Sequence, residues 1–349
     1  MVERGSYTRA EIFSQPERWT QTLAQLKSQA SEIKALLDEG QFQSVLFTGC
    51  GSTYYLALAA AAICQQVAQI PARGLPASEI WLYPDSAYLT SQKTLLVAIS
   101  RSGETTETLR AVADFKARGN GKVITLSCYP TMPLASVGDL NLVLEGGQED
   151  SVAQTRAWSV LYLGVVFMAA LWAGQSNLIE AMAKLPDAGG RLLRDYADLA
   201  KELGSDLSIE RFYLLGSGLR YGLAAEVSLK LKEMSLSHSE PFHFLEFRHG
   251  PMSMVTENAL LFGLVSEANH AAEKLVLSEM QGRGARVLSL GESDTNVVFK
   301  SGVPEVVRNI LYLPVGQLMA FERSLAKGLN PDRPNNLETV VRLDNNGHA

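Results

Sequence analysis

The chain has 349 residues, with 31 Lys and Arg against 37 Asp and Glu and a formal net charge of −6. That length is enough for a substantial core in two domains, and the mild acidic excess without a long basic run excludes nucleic acid as the main partner. Residues 1–17 mix charges with no apolar h-region, and Cys50, Cys64 and Cys128 lack metal-like spacing, so no secretory signal, no disulfide framework and a reducing cytoplasm are expected. In chain order, a helix is expected over 17–37, a strand over 44–48, and a glycine-rich corner at 49–53 that opens an Ala-rich helix over 54–66. A strand over 94–99 runs into a Ser/Thr-rich bend and a helix over 104–116, with apolar spacing through Leu109, Val112 and Phe115. Strands follow over 122–127 and 140–144, then a long helix from about 151.

Residues 157–174 carry no charge and approach membrane-spanning length. Arg156 on one side, Gln175-Ser176-Asn177 on the other and no second candidate argue for a helix buried in a core or a subunit interface, not for a membrane span. A charged helical connection over 178–203 leads to a repeat of the opening: a strand over 212–215, the corner Gly216-Ser217-Gly218, and an Ala-rich helix from Tyr221. Further on come a strand over 260–265, a helix over 271–283, a strand over 285–290, a helix over 315–327 and a polar turn-rich loop over 328–334. This alternation predicts α/β architecture: a parallel sheet with helices on both faces, used twice as two doubly wound subdomains of flavodoxin-like or Rossmann-like type.

The bend Ser100-Arg101-Ser102-Gly103-Glu104-Thr105-Thr106 is the most informative segment. Backbone N–H groups at such a helix start carry the positive end of the dipole, so an anion fits beside Ser100, Ser102, Thr105 and Thr106. Alone, it is also what an ordinary Ser/Thr-capped helix looks like. Gly49-x-Gly51 and Gly216-x-Gly218 resemble the front of a dinucleotide fingerprint, but the third glycine and the distal acidic residue are out of register in both. In 226–251 a helix would bring Glu226, Lys230 and Glu233 to neighbouring positions, four and three residues apart, ahead of a loop with His249-Gly250-Pro251. On spacing alone this is equally a solvated face of ion pairs. Beside a phosphate grip, a carboxylate, a lysine and a histidine supply the base and proton carrier of an aldose–ketose interconversion. A buried Glu would have its pKa raised towards that task.

At these residues the chain resembles the sugar isomerase (SIS) domain family. The likeness is to the double-SIS isomerase half of glutamine–fructose-6-phosphate aminotransferase and to free-standing sugar-phosphate isomerases, deaminases and deglycases. Residues 11–16, Cys50-Gly51-Ser52-Thr53, residues 100–105 and 149–156, and Lys230-Leu231-Lys232-Glu233 through His249-Gly250-Pro251 carry it. The resemblance implies substrate- and phosphate-binding roles for Gly51, Ser52, Thr53, Ser100, Arg101, Ser102 and Thr105, with Val152 and Ala153 lining the sugar. It implies that Glu233 moves the C1/C2 proton, that Lys230 sits by the reacting oxygens, and that His249, donated by the other subunit of a homodimer, opens the ring.

Three departures bear on mechanism. Arg101 stands where the aminotransferase has a neutral amide, so a guanidinium would either clamp phosphate or reach a second acidic group on a different substrate. No glutaminase cysteine is seen before Ser44. Thr339 occupies the place of the tail lysine that forms a Schiff base, and threonine cannot form an imine. The domains expected are a helical lead-in at 1–38, a phosphate-binding SIS domain at 39–180, a second SIS domain with the catalytic Glu and His at 200–330, and a tail near the active site at 331–349.

The function expected is that of a cytoplasmic phosphosugar isomerase acting on a hexose or amino-sugar 6-phosphate, with or without deamination or deglycation. It would need neither cofactor nor metal, and its partners would be the sugar phosphate and a second copy of the chain, without nucleic acid or membrane. The alternatives are a non-catalytic sugar-phosphate-binding regulator, or an aminotransferase subunit needing a separate glutaminase.

Overall fold

The computed structural model describes residues 3–119 and 121–343; the last six residues of the expected tail lie outside the described residues. Two compact units result, and neither is contiguous in sequence. One comprises residues 17–149, 156–183 and 338–349; the other comprises 1–16, 150–155 and 184–337. The lead-in thus divides after Pro16, and the stretch 150–155 counts with the second unit.

In the first unit β1 (Ser44–Gly49), β2 (Ala72–Pro76), β3 (Thr94–Ile99), β4 (Gly121–Ser127) and β5 (Leu140–Val143) form one parallel sheet, ordered β2-β1-β3-β4-β5. All six residues of β3 are buried, which is what a central parallel strand covered on both faces requires. In the second unit β6 (Arg211–Leu215), β7 (His238–Phe242), β8 (Ala259–Leu264), β9 (Arg286–Gly291) and β10 (Val297–Val298) form another parallel sheet, ordered β10-β9-β8-β6-β7. Counted within its own unit, each sheet has the order 2-1-3-4-5 of the flavodoxin-like doubly wound fold. The predicted duplication is therefore present down to strand order.

Three strands escaped the sequence reading: β2, β7 and β10. All are edges, with a single ladder and partial burial. β2 contains Gly74 and ends on Pro76, and β7 contains Pro241, residues that a central strand does not tolerate but an edge does.

Two helices also differ from expectation. The first runs Ser6–Ser28 through Pro16 and is followed by a second over Ala30–Gly40. A proline inside a helix costs about 3 kcal/mol, and burial of Ile12 on one side of it and of Trp19, Leu23 and Leu26 on the other offsets this. The long helix expected from 151 begins at Arg156 and ends at Trp172. Its residues 157–170 are all buried within the chain, with Trp158 stacked on Tyr162 and Trp19 Nε1 donating to Ser159 Oγ at 2.8 Å. It is a core helix, with surface left only at its ends, Arg156 and Leu171-Trp172. Among the described residues no helix is long and apolar enough to cross a membrane.

Candidate active site

In a 2-1-3-4-5 sheet the loops leaving strands 1 and 3 part to opposite faces, and the crevice at their carboxyl ends is where such folds bind ligands. In the first unit those loops are 50–51 and 100–105. β1 and β3 run in register, with Thr48 opposite Ala98, so both loops leave at the same height.

The bend after β3 is built from hydroxyls. Ser100 Oγ lies 3.1 Å from Thr105 Oγ1 and 3.4 Å from Ser102 Oγ, and Ser102 Oγ lies 3.5 Å from Thr105 Oγ1. Gly103 N donates to Ser100 Oγ at 3.2 Å, and Glu104 N to Ser102 Oγ at 3.4 Å. Gly103 has φ +74°, which an L side chain would strain. The helix that follows, Thr106–Ala117, takes no side-chain cap from Thr105. Its first N–H groups therefore keep their capacity for an anion. The helix Ser52–Ala68, entered at Gly51 with φ +55°, is likewise uncapped by a side chain.

Thr53 and Arg101 both have partners within the chain. Thr53 Oγ1 donates to Cys50 O at 3.0 Å and accepts from Cys50 N at 2.9 Å, closing its own turn. The Ser52 carbonyl accepts from Trp158 Nε1 at 2.9 Å, fixing this turn to the core helix. Arg101 is 2% exposed, and its Nη1 stands 3.4 Å from Glu149 Oε2. The other oxygen, Glu149 Oε1, accepts from Ala157 N at 3.0 Å in the first turn of the core helix. The carboxylate beside this guanidinium thus belongs to the chain itself. Glu149 is the residue that the sequence reading passed over here: it lay inside a matched segment, but nothing local pointed to a partner 48 positions away.

In the second unit the helix Tyr221–Ser235 brings Glu226, Lys230 and Glu233 together. Lys230 Nζ lies 3.3 Å from Glu226 Oε1 and donates to Glu233 Oε2 at 2.5 Å. This is no solvated face: the side chains of Glu226 and Lys230 are 0% exposed, and only Glu233, at 20%, reaches the surface. Burial works against the ammonium, and the two carboxylates outweigh it, so the Lys230 pKa stands above the ordinary lysine value. Lys327, in the C-terminal part of the chain, donates to Ser235 O at 2.7 Å and Leu236 O at 3.2 Å; it ties down the end of this helix and is not a free amine for a Schiff base. Thr339, at the place of the tail lysine, is exposed.

His249 closes the turn Glu246–Arg248, its N–H donating to Glu246 O at 2.9 Å; it is exposed and makes no hydrogen bond or ion pair with the Glu226, Lys230 and Glu233 group. Val152 and Ala153 sit in 150–155, a loop held by two buried carboxylates that sequence reasoning did not single out. Glu11 accepts from Asp150 N at 2.6 Å, from Ser151 N at 3.1 Å and from the Ser151 hydroxyl. Asp332, whose carbonyl accepts from Val152 N at 3.0 Å, itself accepts from Gly5 N, Thr8 N and Thr8 Oγ1 at 3.1, 2.8 and 2.8 Å. Among the described residues no group of three or more His, Cys, Asp or Glu is placed to hold a metal ion.

A twin flavodoxin-order α/β protein, with a hydroxyl-rich turn at one switch point and a desolvated Glu–Lys–Glu group, defines the class. The SIS domain model matches residues 41–171 and 208–315, and the chain belongs to the SIS domain family. The glutamine–fructose-6-phosphate aminotransferase (isomerizing) of Methanothermobacter thermautotrophicus is 28% identical over 362 residues, covering 99% of this chain and 59% of that protein. The enzyme of the same name from Pyrobaculum aerophilum is 30% identical, with coverages of 99% and 59%. The chain thus spans about three-fifths of the length of these relatives. Among solved structures, glucosamine-6-phosphate deaminase from Thermotoga maritima is 27% identical with a TM-score of 0.75, covering 93% of this chain and 99% of that one. Tagatose-6-phosphate ketose/aldose isomerase from Escherichia coli has the same fold at 20% identity, TM-score 0.86, with coverages of 95% and 96%.

Proposed function

We propose that the protein is a phosphosugar isomerase acting on a hexose or amino-sugar 6-phosphate by aldose–ketose proton transfer. The observation that carries this is Lys230, an ammonium without solvent held between two carboxylates, one of which reaches the surface. In this reading Glu233 takes the proton from one of C1 and C2 and returns it to the other. Lys230 stabilises the negative charge that gathers on the oxygens meanwhile, in surroundings where desolvation strengthens that attraction. The phosphate is assigned to the hydroxyls of 100–105 and the first N–H groups of the helix that follows. When the reacting carbons carry nitrogen, the same proton shift gives an imine, and addition of water to it forms the carbonyl as ammonia or an amino acid leaves; the family kinship with enzymes of amino-sugar phosphates supports this branch.

We further propose that the enzyme is cytoplasmic and works as a homodimer in which His249 serves the partner's chemistry. The exposed histidine, with no bond to the Glu–Lys–Glu group of its own chain, supports this. Transamination through a tail lysine is disfavoured by Thr339 and by the engagement of Lys327 with backbone carbonyls. The test is incubation with fructose 6-phosphate, tagatose 6-phosphate, glucosamine 6-phosphate and fructosamine 6-phosphate, following sugar products and ammonia. One of them should turn over, and Glu233→Gln should lower kcat by at least about 100-fold while leaving binding within about threefold. Tight binding with no turnover of any, unchanged in Glu233→Gln, would instead mark a sugar-phosphate-binding regulator.

A further inference from the structure

The second sheet has a switch point of its own, between β6 and β8, and the two units correspond turn for turn. Gly51 and Gly218 hold φ of +55° and +57° after β1 and β6. Ser100 and Val265 each add one more backbone bond beyond β3 and β8, to Leu126 O and Leu290 O. In that register Arg220 stands where Thr53 stands, two residues past the glycine, and 265–269 is the counterpart of 100–105.

The contents differ. Ser266 N donates to Glu273 Oε2 at 2.5 Å, and Arg220 Nη2 lies 3.6 Å from Glu273 Oε1. Arg220 Nη1 donates to Glu305 Oε1 at 2.5 Å, and Ala268 N to Glu305 Oε2 at 3.4 Å. Arg220 and Glu273 are 5% and 3% exposed, and Arg220 Nε has no hydrogen-bond partner among the described residues. A carboxylate projecting from the first turns of the helix His270–Gly282 therefore folds back onto the loop amide of its own switch point. Loop amides at this place in the fold point at a ligand's anion. Here they, and a buried guanidinium, point at an anion the chain already carries.

We propose that Glu273 is a built-in anion: it occupies the second switch point in the position of a ligand phosphate or carboxylate, leaving a closed anion site lined by Ser266 N and Arg220. What sets this group apart from an ordinary buried ion pair is that its carboxylate also takes the loop amide of the switch point. The comparison leans on the phosphate role proposed for 100–105, and the test separates the two.

The experiment is thermal unfolding of the full chain in acetate, formate or inorganic phosphate against chloride at equal ionic strength. Glu273→Ala removes the carboxylate and leaves room for a small anion, whereas Glu273→Gln keeps the space filled. Glu273→Ala should unfold at lower temperature and regain about 3 °C in acetate or formate at about ten times the dissociation constant, rising further with the logarithm of the anion concentration. Wild type and Glu273→Gln should respond to these anions no more than to chloride. Absence of an anion-specific gain in a folded Glu273→Ala overturns the proposal.

Equilibrium dialysis with labelled inorganic phosphate keeps the question decidable should that variant not fold. Wild type should bind one phosphate per chain and Ser102→Asp none. A phosphate retained by Ser102→Asp and lost with Arg220→Leu would show an open second site and overturn the proposal. No phosphate on the wild type agrees with a closed second site and overturns the reading of 100–105 instead.

Discussion

Lys230 concentrates the energetics of the Glu–Lys–Glu group. An ammonium with no exposure is held between two carboxylates that stand 3.3 and 2.5 Å away. Removing one member of such a group costs far more than the group contributes as a whole, because the remaining charge is left desolvated. Lys230→Met should therefore lower stability by about 3 to 5 kcal/mol in denaturant unfolding. Glu226→Gln/Lys230→Met, which removes the buried opposite charges together, should cost clearly less. The spacing of 226, 230 and 233 gave away their adjacency, since i+3 and i+4 neighbours meet on any helix. Their burial was not legible, because it comes from chain far from 221–235 in sequence. Arg101 teaches the same from the other side: a guanidinium in a phosphate-type bend reads as a ligand, yet its charge is matched by Glu149.

At the scale of elements, apolar runs found the central strands and the edge β5, and the other three edges, β2, β7 and β10, were lost. β2 and β7 each carry a proline and partial burial, so they lack the pattern that identified β3 and β8. Without them neither sheet shows where strand order reverses, and the crevice cannot be located. The loop 150–155 is another tertiary product, kept in place by Glu11 and Asp332 from the two ends of the chain. Asp332 accepts three donors at the start of the first helix, in a place with almost no exposure. Asp332→Ala should cost about 2 to 3 kcal/mol, because buried donors lose their acceptor. Hydrogen exchange should show the amides of Gly5 and Thr8 losing protection first, with Val152 following as the loop loosens.

For the molecule as a whole, one strand order is built twice and equipped differently: a cluster of hydroxyls in the bend at one switch point, the Arg220, Glu273 and Glu305 group at the other. Of the apolar stretch 157–174, which as sequence suggested either a core or an interface, residues 157–170 are buried inside one chain, and the support for the proposed dimer is the exposed His249. That proposal has a direct check. Mixed Glu233→Gln and His249→Ala subunits, once exchange is confirmed, should recover about a quarter to a half of wild-type activity, because the hybrid regains one intact pairing. No recovery would place both residues' work within a single chain.

The amino-acid sequence by itself determined the alternation of strands and helices, the duplication, the hydroxyl-rich bend and the helical adjacency of Glu226, Lys230 and Glu233. Each of these depends on periodicity, turn chemistry or i+3/i+4 spacing inside one element. Only the tertiary structure decided which loops flank the point of strand reversal, which charges lose their water, and which carboxylate answers each arginine. Desolvation and ion pairing are set by groups that fold together from distant parts of the chain: Arg101 with Glu149, Arg220 with Glu273 and Glu305.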